Sequence, residues 1–138
     1  PFQQAQAHGL AGGSGFALIC GRYEGVDERI RDYIDGELSL GDFVLSAGDP
    51  AGWAMIDSVV RLLPGVLGNA ASIEDESYAN GLIEYPHYTR PVEFDGKTVP
   101  DVLRSGDHGA IARWRHAQSE RITREIRPEL LDLSDKGE

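Results

Sequence analysis

The sequence predicts an α/β fold. Across residues 16–63, short apolar segments of strand length alternate with helical spacings, and each strand candidate runs into a turn that bears glycine. The 138 residues are 41% apolar, enough to build the core of one domain or one domain with a small appendage. A 26% share of charged residues argues against wholesale disorder.

Pro1 to Gly15 is rich in Gln, Ala and Gly and lacks an initiator methionine, so residues ahead of it are expected to supply a further part of the fold. Gln3 to His8 reads as the end of a helix, with Gly9 as its stop and Gly12-Gly13 as the next turn. Phe16-Ala17-Leu18-Ile19-Cys20 reads as a buried strand stopping at Gly21, far too short to cross a bilayer. Cys20 is the single cysteine, which rules out a disulfide framework and a cysteine-based metal site. It is expected to be a buried small hydrophobe in a reducing, cytoplasmic protein.

Val26 to Ile34 has the apolar spacing of a helix, with Asp27 and Glu28 in the first turn, where the helix dipole favours acids. Glu37–Ser39 and Phe43–Ser46 are short strand candidates on either side of Gly41. Asp49-Pro50 then starts a helix, an acid at the N-cap with proline at the first helical position. That helix should run to about Leu63, with Trp53, Ile56, Val59, Val60 and Leu63 on one core-facing side and Pro64-Gly65 as its stop.

Beyond Pro64 the character changes. Residues 69–90 form a loop-rich linker containing the acidic run Glu74-Asp75-Glu76, and Pro86, Pro91 and Pro100 punctuate the chain from there to the next helix. His108 to Glu125 reads as a long helix, with Ile111, Trp114 and Ala117 on a core face and arginines opposite. Arg127-Pro128-Glu129-Leu130-Leu131 makes a last short helix before a polar tail. There are no internal repeats.

A formal charge of −10 opposes a nucleic-acid partner, because neutralising phosphate requires Lys and Arg. The charge is unevenly placed, however. From Arg104 to Arg127 there are six arginines against Asp107, Glu120 and Glu125, a locally basic stretch. Bulk charge counts against RNA binding, and local charge leaves it open.

Three glycine-bearing turns carry the chemistry: Gly21-Arg22-Tyr23-Glu24-Gly25, Ser39-Leu40-Gly41-Asp42 and Ser46-Ala47-Gly48-Asp49-Pro50. Glycine lets the backbone approach a ligand closely, and loops at strand ends are where open α/β sheets bind small molecules. None of the three matches a phosphate-cradling or dinucleotide glycine motif. Backbone amides and carbonyls in such loops can instead read an adenine edge, and the acids Glu24, Asp42 and Asp49 suit a cationic ligand group. On spacing alone, three ordinary tight turns remain the competing reading.

Cys20 to Arg29, Ser39 to Ser46, Ile56-Asp57-Ser58-Val59 and Arg61-Leu62-Leu63-Pro64-Gly65-Val66-Leu67-Gly68 together resemble the bacterial tRNA (guanine-N1) methyltransferase family. The resemblance continues through Pro86-His87-Tyr88-Thr89-Arg90-Pro91, Val102 to His108, Trp114-Arg115 and Arg127 to Leu131, in order over nearly the whole chain. It implies a trefoil-knotted parallel sheet of the SPOUT class with helices on both faces, plus a small C-terminal helical domain. The domains would be residues 1–68 for the cofactor-binding part of the knot, 69–90 for the linker and 91–138 for the helical tRNA-binding part. It also implies a homodimer whose active sites are shared between subunits. The donor would be S-adenosylmethionine, held by Gly21, Tyr23, Glu24, Ser39, Leu40, Gly41, Phe43, Leu45, Ala47 and Gly48. The substrate would be the guanine immediately 3′ of the anticodon of a tRNA, methylated on N1.

Guanine N1 carries a proton and attacks poorly until that proton leaves, so a carboxylate should assist. Charge developing on O6 calls for a cationic donor, and arginine stays charged. The resemblance puts the arginine at Arg61 and the acid in the linker of the partner subunit. Counting from Gly68 and from His87 places that acid at Glu76, where the family usually has aspartate; here aspartate stands one place earlier, and Asp75 is the alternative base. Ala47 and Asp49 also depart from the family's usual glycine and glutamate. Ser72, His87, Arg90, Arg113 and Arg115 are the residues expected to touch RNA. No pair of His or carboxylates has the spacing of a tight metal site, although the resemblance implies Mg²⁺ in some members. Two other readings are a non-catalytic cofactor- or RNA-binding relative and a knotted methyltransferase acting on another RNA. Retention of Arg61 and all three loops argues against the first, and the linker and C-terminal motifs against the second.

Overall fold

The computed structural model describes residues 1–68 and 76–134, in two compact units, Pro1–Ala70 and Ala71–Glu138. Asp75 and Ser72 lie outside the described residues.

The first unit is built on two helices that pack together, α1 (Gln4–Ala11) and α2 (Asp49–Val60). At the start of α1 the Gln6 side chain accepts from the Gln3 backbone N–H at 3.0 Å, satisfying a donor the helix leaves orphaned. The helix runs through Gly9 and is capped at Gly12, so a single glycine did not stop it. Helix α2 has Gly48 at its N-cap and the proline in its first turn; Asp49 sits inside the helix rather than capping it. Its buried stripe is Gly52, Met55 and Val59, the last 2% exposed, and with Ala7 of α1 these residues make the core of the unit. Of the stripe expected from the sequence Val59 is buried, whereas Trp53, Ile56, Val60 and Leu63 are exposed, so the buried face is rotated about Val59. Trp53 is 71% exposed and Ile56 faces outward, while glycine and methionine, which carry little weight in a periodicity reading, take the inner face.

The strands expected at Phe16–Cys20, Glu37–Ser39 and Phe43–Ser46 are not formed among the described residues. These segments are not helical and make no ladder contact; the nearest one, an isolated antiparallel bridge between Arg22 and Ala47, joins residues just beyond two of them. Apolar content reports a preference for a pleated, half-buried surface but supplies no neighbouring strand. Without one, Ile19 is 59% and Val44 97% exposed, and Cys20 is half-buried rather than buried. The parallel sheet expected from the resemblance is thus not assembled within these residues. The helix expected over Val26–Ile34 is a tighter 3₁₀ helix, Glu28–Tyr33, with no buried residue.

The second unit holds the one sheet among the described residues, an antiparallel hairpin of β1 (Glu93–Phe94) and β2 (Lys97–Thr98). Asp95 and Gly96 turn it with φ of 50° and 70°, the left-handed pair that tight hairpins favour. After a 3₁₀ turn over Asp101–Arg104 comes α3 (His108–Ile126), then the short α4 (Glu129–Ser134). Asp107 caps α3, its carboxylate accepting from Ala110 N–H at 2.9 Å. The buried positions of α3 are polar, Ser119 and Thr123. Of the face expected from the sequence, Ile111 and Trp114 are half-buried and Ala117 is exposed. Trp114 packs its ring against Tyr88 at 6.3 Å.

Candidate functional site

Three loops of the first unit converge. The Gly48 N–H donates to the Gly21 carbonyl at 2.8 Å, joining the third loop to the first. A Cβ at Gly48 would lie 3.0 Å from Cys20 Cα and from Gly21 N, both backbone atoms, so any side chain there would force the two loops apart by a few tenths of an ångström. The second loop folds on Ser39, whose hydroxyl lies 3.2 Å from both the N–H and the carbonyl of Gly41. The Ser39 carbonyl in turn accepts from the Phe2 N–H at 2.7 Å. In the first loop Tyr23 takes a left-handed φ of 57°, and Gly25 N–H returns to the Arg22 carbonyl at 3.1 Å.

Between the loops lies a cavity of about 330 Å³. Nine of the ten residues expected to hold the cofactor line it: Gly21, Tyr23, Ser39, Leu40, Gly41, Phe43, Leu45, Ala47 and Gly48. Glu24 does not. Arg22, Gly25, Leu38, Ser46 and Ala51 also line the cavity. Arg22, Gly25 and Ser46 belong to the same loops, and Leu38 and Ala51 directly adjoin them. Arg22 lies 3.2 Å from the Asp49 carboxylate, an ion pair between the first loop and the start of α2. The carboxylate oxygen is buried but lacks a properly aligned hydrogen bond, so the pair is one of proximity. Alongside, a second and more apolar hollow is lined by Phe16, Leu18, Cys20, Gly52, Trp53 and Ile56, with Asp49 at its side.

Arg61 is the residue that closes α2, its N–H donating to the Asp57 carbonyl at 3.2 Å, and its side chain is half-buried. Glu76 belongs to the second unit, half-buried at the head of a turn in which its carbonyl accepts from Ala79 N–H at 3.1 Å.

The RNA candidates differ among themselves. His87 pairs through Nε2 with Glu84 at 2.7 Å and tilts against Tyr85 at 5.0 Å. The Arg115 guanidinium lies over the same Tyr85 ring, 4.6 Å from its centroid, with Nε buried and unpartnered. That stacking occupies one face of Arg115 inside its own unit. Arg90, joined to Pro91 by a cis peptide, and Arg113 are exposed. Elsewhere on α3, Arg121 pairs with Glu125 at 3.0 Å and His116 with Glu120 at 3.3 Å, while Arg127 pairs with Glu129 beyond the helix. Among the described residues no group of three or more His, Cys, Asp or Glu side chains could hold a metal ion, so no step is assigned to Mg²⁺. Nor is any described helix long and apolar enough to cross a membrane.

The first unit has three glycine-bearing loops around a ligand-sized cavity and the second a main helix that carries arginines, the features of a small-molecule-binding module and of a basic helical one. The chain belongs to the tRNA (guanine-1)-methyltransferase family: the family model "tRNA (Guanine-1)-methyltransferase TrmD" matches residues 1–133. A tRNA (guanine-N(1)-)-methyltransferase of Sorangium cellulosum is 57% identical over 141 residues, covering 100% of this chain and 53% of its own length. Those of Mesorhizobium japonicum and Brucella ovis are 56% and 54% identical, covering 95% and 99% of this chain and 57% of their own lengths. The chain therefore spans about half the length of the curated relatives it matches.

Proposed function

We propose that the protein methylates N1 of the guanine immediately 3′ of the anticodon in tRNA, with S-adenosylmethionine as the donor. The observation that carries this reading is the convergence of nine residues, singled out from sequence as cofactor contacts, around one cavity. The cavity lies at the small end of the range of ligand sites, about 300–1,000 Å³. It is lined by three glycine-bearing loops, whose backbone amides and carbonyls suit hydrogen-bonding an adenine edge. Bound there, S-adenosylmethionine supplies a methyl group made electrophilic by its sulfonium.

The residues of the chain then have separable tasks. Glu76, with Asp75 as the alternative, accepts the N1 proton as the N1–methyl bond forms and the sulfur–methyl bond breaks, leaving a neutral thioether. Arg61 donates to guanine O6, where negative charge gathers. Exposed Arg113 and Arg90 meet the tRNA backbone, and His87, Ser72 and Arg115 complete the RNA contacts. Residues 1–68 act as the cofactor part, 69–90 as the linker and 91–138 as the tRNA-binding part. The extended apolar segments Phe16–Cys20 and Phe43–Ser46 take their partner strands in a knotted parallel sheet, and two copies share each active site in the cytoplasm.

The test uses the protein at its natural length, labelled S-adenosylmethionine and two tRNA transcripts, one with guanine and one with adenine 3′ of the anticodon. Label should enter the guanine transcript alone. Retained donor binding with no label in either would overturn the reading in favour of a non-catalytic relative.

A further inference from the structure

Thr123 is wholly buried, 0% exposed, in the last turn of α3. A β-branched hydroxyl residue is a poor choice for a helix interior on propensity alone, so its placement calls for a reason in its contacts. Both capacities of its hydroxyl are used. Oγ1 donates to the Ser119 carbonyl one turn back at 2.7 Å and accepts from the Ile83 N–H at 2.8 Å, forty residues away in sequence.

That second bond reaches the segment that carries Glu76. Residues 76–84 close on themselves: Ala79 N–H donates to the Glu76 carbonyl at 3.1 Å and Tyr78 N–H to the Leu82 carbonyl at 2.7 Å. The Glu84 N–H donates to Ser77 Oγ at 3.0 Å. The Arg127 guanidinium, at the C-terminal end of α3, lies 3.4 Å from the Tyr78 hydroxyl. The loop is thus internally tied, and its returning limb is fixed to the helix at Ile83. The Ile83–Thr123 bond joins the loop that carries Glu76 to α3.

We infer that Thr123 is a positioning residue for the methyl transfer: through the Ile83 amide it sets where Glu76 stands. The inference rests on the reading of Glu76 as the base. Misplacing a reacting group by about 1 Å can cost up to about a hundredfold in rate without weakening substrate binding. A residue that only fills space would not produce that split.

The experiment compares Thr123→Val, which keeps the shape and loses the hydroxyl, with Thr123→Ser, which keeps the hydroxyl and loses a methyl. Single-turnover methylation of the guanine transcript is measured in the protein at its natural length. Thr123→Val should lower the rate constant about tenfold or more, with the KM values for tRNA and donor within about twofold. Thr123→Ser should recover most of that rate. Ser77→Ala, which removes the Glu84 tie, should show the same split and serves if Thr123→Val does not fold. On a Glu76→Gln background, Thr123→Val should cost nothing further, because the group it positions is already disabled. Equal losses in Thr123→Val and Thr123→Ser, a loss confined to KM, or unchanged rates in a folded Thr123→Val would overturn the inference. Full activity in Glu76→Gln would overturn the base assignment and the inference with it. An inactive Glu76→Gln beside an active Thr123→Val would overturn the positioning role alone.

Discussion

At Gly48 the backbones of two loops pass so closely that a single methyl group would meet Cys20 Cα and Gly21 N at 3.0 Å. Gly48→Val should therefore open the cavity and raise the Kd for S-adenosylhomocysteine, the demethylated donor, by about tenfold or more, read by calorimetry. An unchanged Kd would show that the loops part without loss of the site. Asp27 offers a second test at the same scale. Its carboxyl is held down to about 2, first by the side chain of Arg29 and then by the Arg29 backbone N–H, against a small opposing effect of desolvation. A folded value below the unfolded one makes its contribution to stability present above about 3.8 and lost as pH falls toward 2. A carboxyl-carbon NMR titration should find that low midpoint, and Arg29→Ala should return it toward 3.8. A native midpoint already near 3.8 would show that Arg29 does not hold the cap.

Helix starts were the most legible elements, because their signals are local. Pro50 in the first turn of α2 and Asp107 ahead of α3 each mark a boundary by backbone chemistry that needs no distant partner. Asp107→Ala should lower stability by about 1 kcal/mol in urea unfolding monitored by circular dichroism. A change well under half of that would mean that water replaces the cap without cost. Strands and buried faces were less legible. Phe16–Cys20 is as apolar as a core strand, yet pairing depends on residues elsewhere, and none of the described ones supplies it. The inner face of α2 turns on Gly52, whose lack of a side chain lets the helix sit against Cys20 Sγ, only 2.8 Å from where a Cβ would stand. The inner face of α3 turns on Ser119 and Thr123, polar residues that an apolar periodicity passes over. The three loops around the cavity could be read because glycine placement and local motif coincide. The anchoring of the Glu76 loop to α3 could not, since the Ile83–Thr123 bond joins residues far apart in sequence through a backbone amide.

The whole molecule divides its chemistry between two units, the cavity in Pro1–Ala70 and the basic helix in Ala71–Glu138. A net charge of −10 makes any RNA contact depend on local cations. On α3 several are already engaged, Arg121 with Glu125 and Arg115 over Tyr85, whereas Arg113 is exposed and has no ion pair among the described residues. Phosphate contacts release counterions, so each one lost should flatten the dependence of log K on log salt by about one unit or slightly less. Arg113→Glu should therefore weaken tRNA binding at low salt, reduce that slope and leave S-adenosylhomocysteine affinity unchanged. Gly48→Val should do the converse, weakening the small ligand while the tRNA salt slope stays as it was. Filter binding across a salt series, paired with calorimetry on both variants, separates the two effects. If Arg113→Glu left the slope intact, tRNA would be engaging another face of the helical unit. Loss of both affinities in either variant would mean that the two ligands share one site.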